Sequence, residues 1–183
     1  MKPKAIAALV VVPLVLIAVL LLIFGVRHIL KSRVPKGPVP GDTFDFSAPY
    51  LCRVSWRRGA GSLGDSSSLE LTMEPDAEGR PIVRVFYSDQ PSHNAREVKK
   101  TVRVSSDTVR GVEEIVDRYG MRDWTDLPPR EEFALDAPSS SFTIRYSDGT
   151  SVTVDGGDEV PEGCWEAIPE IRAYILSQAG IGE

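Results

Sequence analysis

Leu69–Tyr87 reads LELTMEPDAEGRPIVRVFY, and its alternation decides the fold class. Leu69, Leu71 and Met73 alternate with Glu70 and Thr72, and a second apolar run, Ile82–Tyr87, follows the loop Glu74–Arg80. Period-two patterning on either side of Pro75, Asp76 and Gly79 predicts two antiparallel strands and a turn. With Glu74 opposite Arg80, Leu71 meets Val83 and Leu69 meets Val85. Apolar side chains then share one face, as a hairpin register requires.

Outward from this hairpin the alternation continues. Upstream, Tyr50, Cys52, Val54 and Trp56 share one face of a strand, with Leu51, Arg53 and Ser55 on the other. Arg57–Ser68 reads as a Gly/Ser-rich connection. Downstream, Val98, Lys100, Val102 and Val104 alternate with Lys99, Thr101 and Arg103, a strand with a basic outer edge. Ser105, Ser106 and Asp107 are N-cap candidates for a helix whose apolar face is Val109, Val112, Ile115, Val116 and Tyr119. Gly120 stops it, and Gly111 inside it costs roughly 1 kcal/mol relative to Ala, so the helix needs tertiary support. Met121–Ser140 reads as irregular, with Trp124 covering the helix end.

Phe142, Ile144 and Tyr146 lead into a three-residue loop, Ser147-Asp148-Gly149. That loop sets Ile144 opposite Val152 and Phe142 opposite Val154, with Gly149 in the left-handed position of a bulged turn. Pro169 suits the first turn of a last helix, expected from Pro169 to about Gln178, with Ile171, Tyr174 and Ile175 facing the core. The expected fold class is α+β: an N-terminal transmembrane helix, then an antiparallel sheet of about six strands, in the order β-β-β-β-α-β-β-α, packed on two helices. Trp56, Leu71, Val85, Val112, Ile115, Ile144 and Ile171 are the predicted core.

The expected membrane helix is Ala5–Phe24, AIAALVVVPLVLIAVLLLIF, twenty residues without a charge. As a helix it spans ~30 Å, the thickness of a bilayer's hydrocarbon core. It is longer than a signal h-region and has no small-residue cleavage pattern directly ahead of Arg27, so an uncleaved signal anchor is expected. Three regions follow: a membrane anchor over 1–26, a basic then Pro-rich spacer over 27–49, and an acidic domain over 50–183. Phe44 and Phe46 begin to dock on that domain. The Lys/Arg balance of the flanks leans slightly towards a cytoplasmic domain. The signal-like N-terminus and the proline-rich spacer favour an extracytoplasmic one, and that placement is the expectation.

Charge divides by position. Residues 1–42 carry six Lys/Arg and one Asp, and the remainder fifteen Lys/Arg and twenty-five Asp/Glu; balances of +5 and −10 make up the net −5. The basic stretch Arg27–Lys36 suits anionic lipid headgroups. The acidic remainder argues against a nucleic-acid partner.

Two cysteines, Cys52 and Cys164, stand at opposite ends of the domain. They are either two buried thiols or one disulfide in an oxidising compartment. Without C-x-x-C or a Cys/His cluster, no metal site is expected, and no cofactor motif is present. His28 and His93 are the only histidines and pair with no nucleophile motif, so no catalytic residue is assigned. Ser66–Ser68 and Ser139–Ser141 read as loops, Asp155–Glu159 as a charged turn, and Glu113–Glu114 and Glu131–Glu132 as solvated pairs. The expected function is a membrane-anchored, extracytoplasmic, non-enzymatic domain binding a protein or cell-envelope component. The alternative is an envelope hydrolase whose site is assembled from dispersed carboxylates.

Overall fold

In the computed structural model the first hairpin is closed by Asp76 and Arg80, not by Glu74 and Arg80. Asp76 N donates to Arg80 O at 2.9 Å and Gly79 N to Asp76 O at 3.1 Å, with Gly79 at φ 76°. The Asp76 carboxylate also accepts from the amides of Glu78 and Arg80. Strands β2 (Ser66–Pro75) and β3 (Pro81–Gln90) therefore pair Leu71 with Val85 and Leu69 with Tyr87, two residues from the expected register. A slip of two leaves every side chain on its own face, so alternation alone does not distinguish the two registers. Ser66–Ser68 belongs to β2 rather than to a loop, as Ser140 and Ser141 belong to β5.

The described residues are 37–59, 65–92, 94–124, 140–155 and 163–182, the side chain of Cys164 excepted. Ala5–Phe24, His28, His93, Glu131–Glu132 and Gly156–Glu159 lie outside them. Among the described residues no helix is long and apolar enough to cross a membrane. All of them belong to one compact unit, Gly37–Glu183.

Six strands form a single antiparallel sheet: β1 (Leu51–Arg58), β2, β3, β4 (Val98–Val104), β5 (Ser140–Tyr146) and β6 (Ser151–Asp155). Their spatial order is β4-β3-β2-β1-β5-β6. A four-strand meander is thus followed by a crossover through α1 (Asp107–Arg118), which brings β5 to the free edge of β1. The β5–β6 hairpin has the expected register, Ile144 opposite Val152 and Phe142 opposite Val154, with Gly149 at φ 92°.

One face of the sheet packs on α1 and α2 (Cys164–Gln178). Leu51, Val54, Leu71, Val85, Ile144 and Val152 join Val112, Ile115, Ile171 and Ile175 in one buried cluster. Burying each such side chain contributes ~1.5–3 kcal/mol. Trp56, expected in the core, is only half-buried; its ring lies under the Arg172 guanidinium at 4.9 Å. The expected facing of β1 breaks at its start, because the pairing with β5 shifts between Leu51 and Arg53. Cys52 is the extra residue of this bulge, and Leu51 rather than Cys52 is fully buried.

The last helix starts at Cys164, not Pro169, which sits inside it. The first helical bond, Ala167 N to Gly163 O, precedes the proline, and buried Ala167 anchors the extra turn. The missing Pro169 N–H orphans one carbonyl, four residues back at Trp165, which is exposed. Gly180 at φ 61° and the bonds Gly180 N to Ser177 O and Ile181 N to Leu176 O close the C-terminus. Gly120, also at φ 61°, ends α1 and opens a single 3-10 turn, Met121–Asp123, which places Met121 and Trp124 in the core.

Candidate binding surface

The face of the sheet turned away from the helices is built by the register. Arg53 stands opposite Thr72 of β2 and Arg145 of β5. Thr72 stands opposite Arg84, and Arg84 opposite Arg103 of β4. One cross-strand row therefore reads Arg103, Arg84, Thr72, Arg53, Arg145, Ser151. At ~4.8 Å between strands its four arginines span ~19 Å. Like charges directly opposite each other destabilise a sheet, and this row contains two such pairs, Arg84–Arg103 and Arg53–Arg145.

Each pair has one member neutralised from β2. Arg53 Nη2 lies 3.0 Å from Glu70 Oε2, and Arg84 pairs with Glu74. The other members are left over: Arg145 is exposed, with no acceptor among the described residues. Arg103 has all three guanidinium nitrogens closed off from water and donating to nothing among the described residues. Burial, then the Arg84 charge, pulls the Arg103 guanidinium below its ordinary value. Counting Arg57 and Lys99, six basic strand residues on this face meet Glu70, Glu74, Asp155 and Glu97, which pairs with Lys99 and accepts from Ser88 Oγ, a net of +2 on an otherwise acidic domain. Phe86, 37% exposed, stands one row away between Thr101 and Glu70.

The segment that leads into β1 is held on the helix side. The Asp42 carboxylate accepts from Ser106 N at 2.8 Å, Ser106 Oγ at 2.5 Å and Ser105 Oγ at 3.4 Å. It ties down Ser106, the residue ahead of α1, from 64 residues upstream. Of the expected cap candidates, Ser105 Oγ accepts from Asp107 N at 3.2 Å, while Ser106 turns its own hydroxyl to Asp42 and Thr43 O and makes no cap bond. Arg110 Nη2 donates to Thr43 O and stacks over Phe44, whose ring belongs to a cluster with Phe46 and Tyr50. Tyr50 and Ser147 exchange hydrogen bonds beyond it.

The thiol of half-buried Cys52 donates to Arg145 O at 3.3 Å. The side chain of Cys164 lies outside the described residues, and with it the question of a disulfide. Apart from Asp42 on Ser106 and Glu113 on the Leu51 amide, carboxylates of the helices and first hairpin pair with basic side chains. Arg118 pairs with Glu170, Arg122 with Asp117, Arg110 with Asp107 and Arg80 with Asp76. Every described carboxyl whose pKa departs from its ordinary value is lowered: Asp45, Asp76, Glu97, Asp148 and Glu170. A general acid of a hydrolase needs the opposite shift. Among the described residues no three His, Cys, Asp or Glu side chains gather as metal ligands.

The alternation places each of these arginines on an outward position. What brings them into one row is the meander pairing of β3 with β4 together with the β1–β5 pairing, which joins segments far apart in sequence. The chain matches no protein-family model and no curated protein sequence.

Proposed function

We propose that this chain is a membrane-anchored, extracytoplasmic, non-enzymatic domain that binds a protein or cell-envelope component through the open face of its sheet. Ala5–Phe24 is the anchor and residues beyond about Val34 lie outside the cytoplasm. The observation that carries the binding role is the row of four arginines. Two like-charge cross-strand pairs weaken the sheet that holds them, and an opposing ligand relieves that cost. The anchor rests on the twenty-residue apolar run.

The test of placement is a membrane-impermeant thiol reagent applied to intact cells after removal of the wall, with and without prior reduction, in conditions that expose Cys52 and Cys164. Labelling before lysis is the expected result. Labelling only after lysis places the domain inside and removes this reading. The test of the face is a photo-crosslinking residue in place of Phe86, which gives adducts in membranes. Those adducts disappear when Arg53, Arg84 and Arg145 are replaced together by Gln.

A further inference from the structure

We propose that the arginine face docks on anionic lipid headgroups of the bilayer that holds the anchor, so that the domain lies flat on its own membrane. This rests on the anchored reading above.

The first support is charge. The face carries a net of +2, while α1 and α2 together carry six Asp/Glu and three Arg, a net of −3. An anionic surface therefore orients the domain sheet-side down. Arginine suits phosphate, because its planar fork donates two parallel bonds to one group. The forks open to a headgroup phosphate are those of exposed Arg57 and Arg145, while Arg53 and Arg84 hold Glu70 and Glu74 and the Arg103 nitrogens are closed off.

The second support is tether length. Twelve residues separate Phe24 from Gly37. Whatever their conformation, they keep the folded unit within ~40 Å of the bilayer. A net of two charges binds an anionic surface weakly from solution, whereas for a tethered domain the encounter is intramolecular and weak attraction suffices. A free acidic peptide has to find the same face without that advantage. Residues 25–36 add Arg27, Lys31, Arg33 and Lys36, which favour the same surface. Phe86, exposed beside the row, is the apolar side chain placed to meet the headgroup boundary.

The experiment uses the full chain carrying Phe86→Trp, reconstituted into vesicles doped with a lipid spin-labelled at its headgroup; the parent chain subtracts the emission of its other tryptophans. On vesicles containing phosphatidylglycerol the residue-86 emission is quenched roughly twofold more than on pure phosphatidylcholine. At ~0.5 M salt, where the screening length falls to ~4 Å, the difference disappears. Arg145→Glu and Arg57→Glu together abolish it as well. Both side chains are exposed, so the charge reversals leave the core untouched, and Arg145→Gln with Arg57→Gln gives a partial loss.

Equal quenching on the two vesicle types, or quenching indifferent to the reversals, overturns the proposal. So does a response of residue 86 to soluble polyglutamate with none to anionic lipid, which makes the ligand an acidic peptide. Retention on phosphatidylcholine vesicles through alkaline washing reads the anchor separately. A chain that washes off overturns the anchored reading itself, whereas a retained chain without lipid-dependent quenching overturns only the docking.

Discussion

Tyr174 of α2 packs its hydroxyl where a side chain on Gly111 of α1 would be: a Cβ built there lies 2.1 Å from Tyr174 Oη and 2.4 Å from Cζ. Glycine inside a helix costs roughly 1 kcal/mol relative to alanine. Here that cost allows the two helices to approach at this crossing.

Gly111→Ala consequently lowers stability by about 1 kcal/mol net, since overpacking of ~1–3 kcal/mol outweighs the gain in helix propensity. In a Tyr174→Ala background the same change becomes stabilising. Thermal melting of the four proteins of this cycle checks it. A stabilising Gly111→Ala in the parent would show that the helices separate freely.

Asp42→Ala removes the acceptor of the fully buried Ser106 amide and one of the two acceptors of its hydroxyl, just ahead of α1. Leaving a buried donor without its acceptor costs ~1–3 kcal/mol. The expected signature is local: amide exchange accelerates at the first turn of α1, while the β5–β6 hairpin keeps its protection. Uniform acceleration over the whole domain would contradict a role confined to the start of α1.

Arg145→Thr relieves a like-charge pair on the sheet without opening a cavity, since the side chain is exposed. It stabilises the domain by ~0.2–1 kcal/mol at low salt, and the gain shrinks as salt screens the pair. The same variant weakens attachment of the face to anionic vesicles. A destabilised Arg145→Thr would mean that Arg145 serves the fold rather than a ligand.

Tyr119 and Glu170 titrate as a linked pair, with Tyr119 Oη donating to the carboxylate at 2.9 Å. That hydrogen bond, then the one from Arg118, lowers the Glu170 pKa, so its contribution is present above the unfolded value of 4.5 and is lost as pH falls through the folded one. The same bond, with burial second, raises Tyr119. Its contribution is present below 10.0 and is lost as pH rises through the folded value. Melting temperature against pH therefore loses a component at each end, and Glu170→Gln flattens the acid one. An unchanged acid limb in Glu170→Gln would remove Glu170 from the titration.

The sequence by itself determined what depends on neighbours along the chain. Period-two runs named the strands, helical spacing placed Val109, Val112, Ile115 and Val116 on one face of α1, and Asp148-Gly149 set the second hairpin to the residue. Such features are local, because a turn or a helix face is defined within a few residues. Tertiary structure decided the rest. The first hairpin chose between two registers of equal hydrophobic phase through the Asp76 carboxylate, and α2 extended past Pro169 because buried Ala167 anchored its extra turn. The tie at the start of α1 came from Asp42, and the arginine row was completed by pairing β1 with β5. Those partners are up to 92 residues apart, from Arg53 to Arg145, and no local period encodes a contact at that separation; it exists only once the crossover helix has packed on the sheet and brought β5 beside β1.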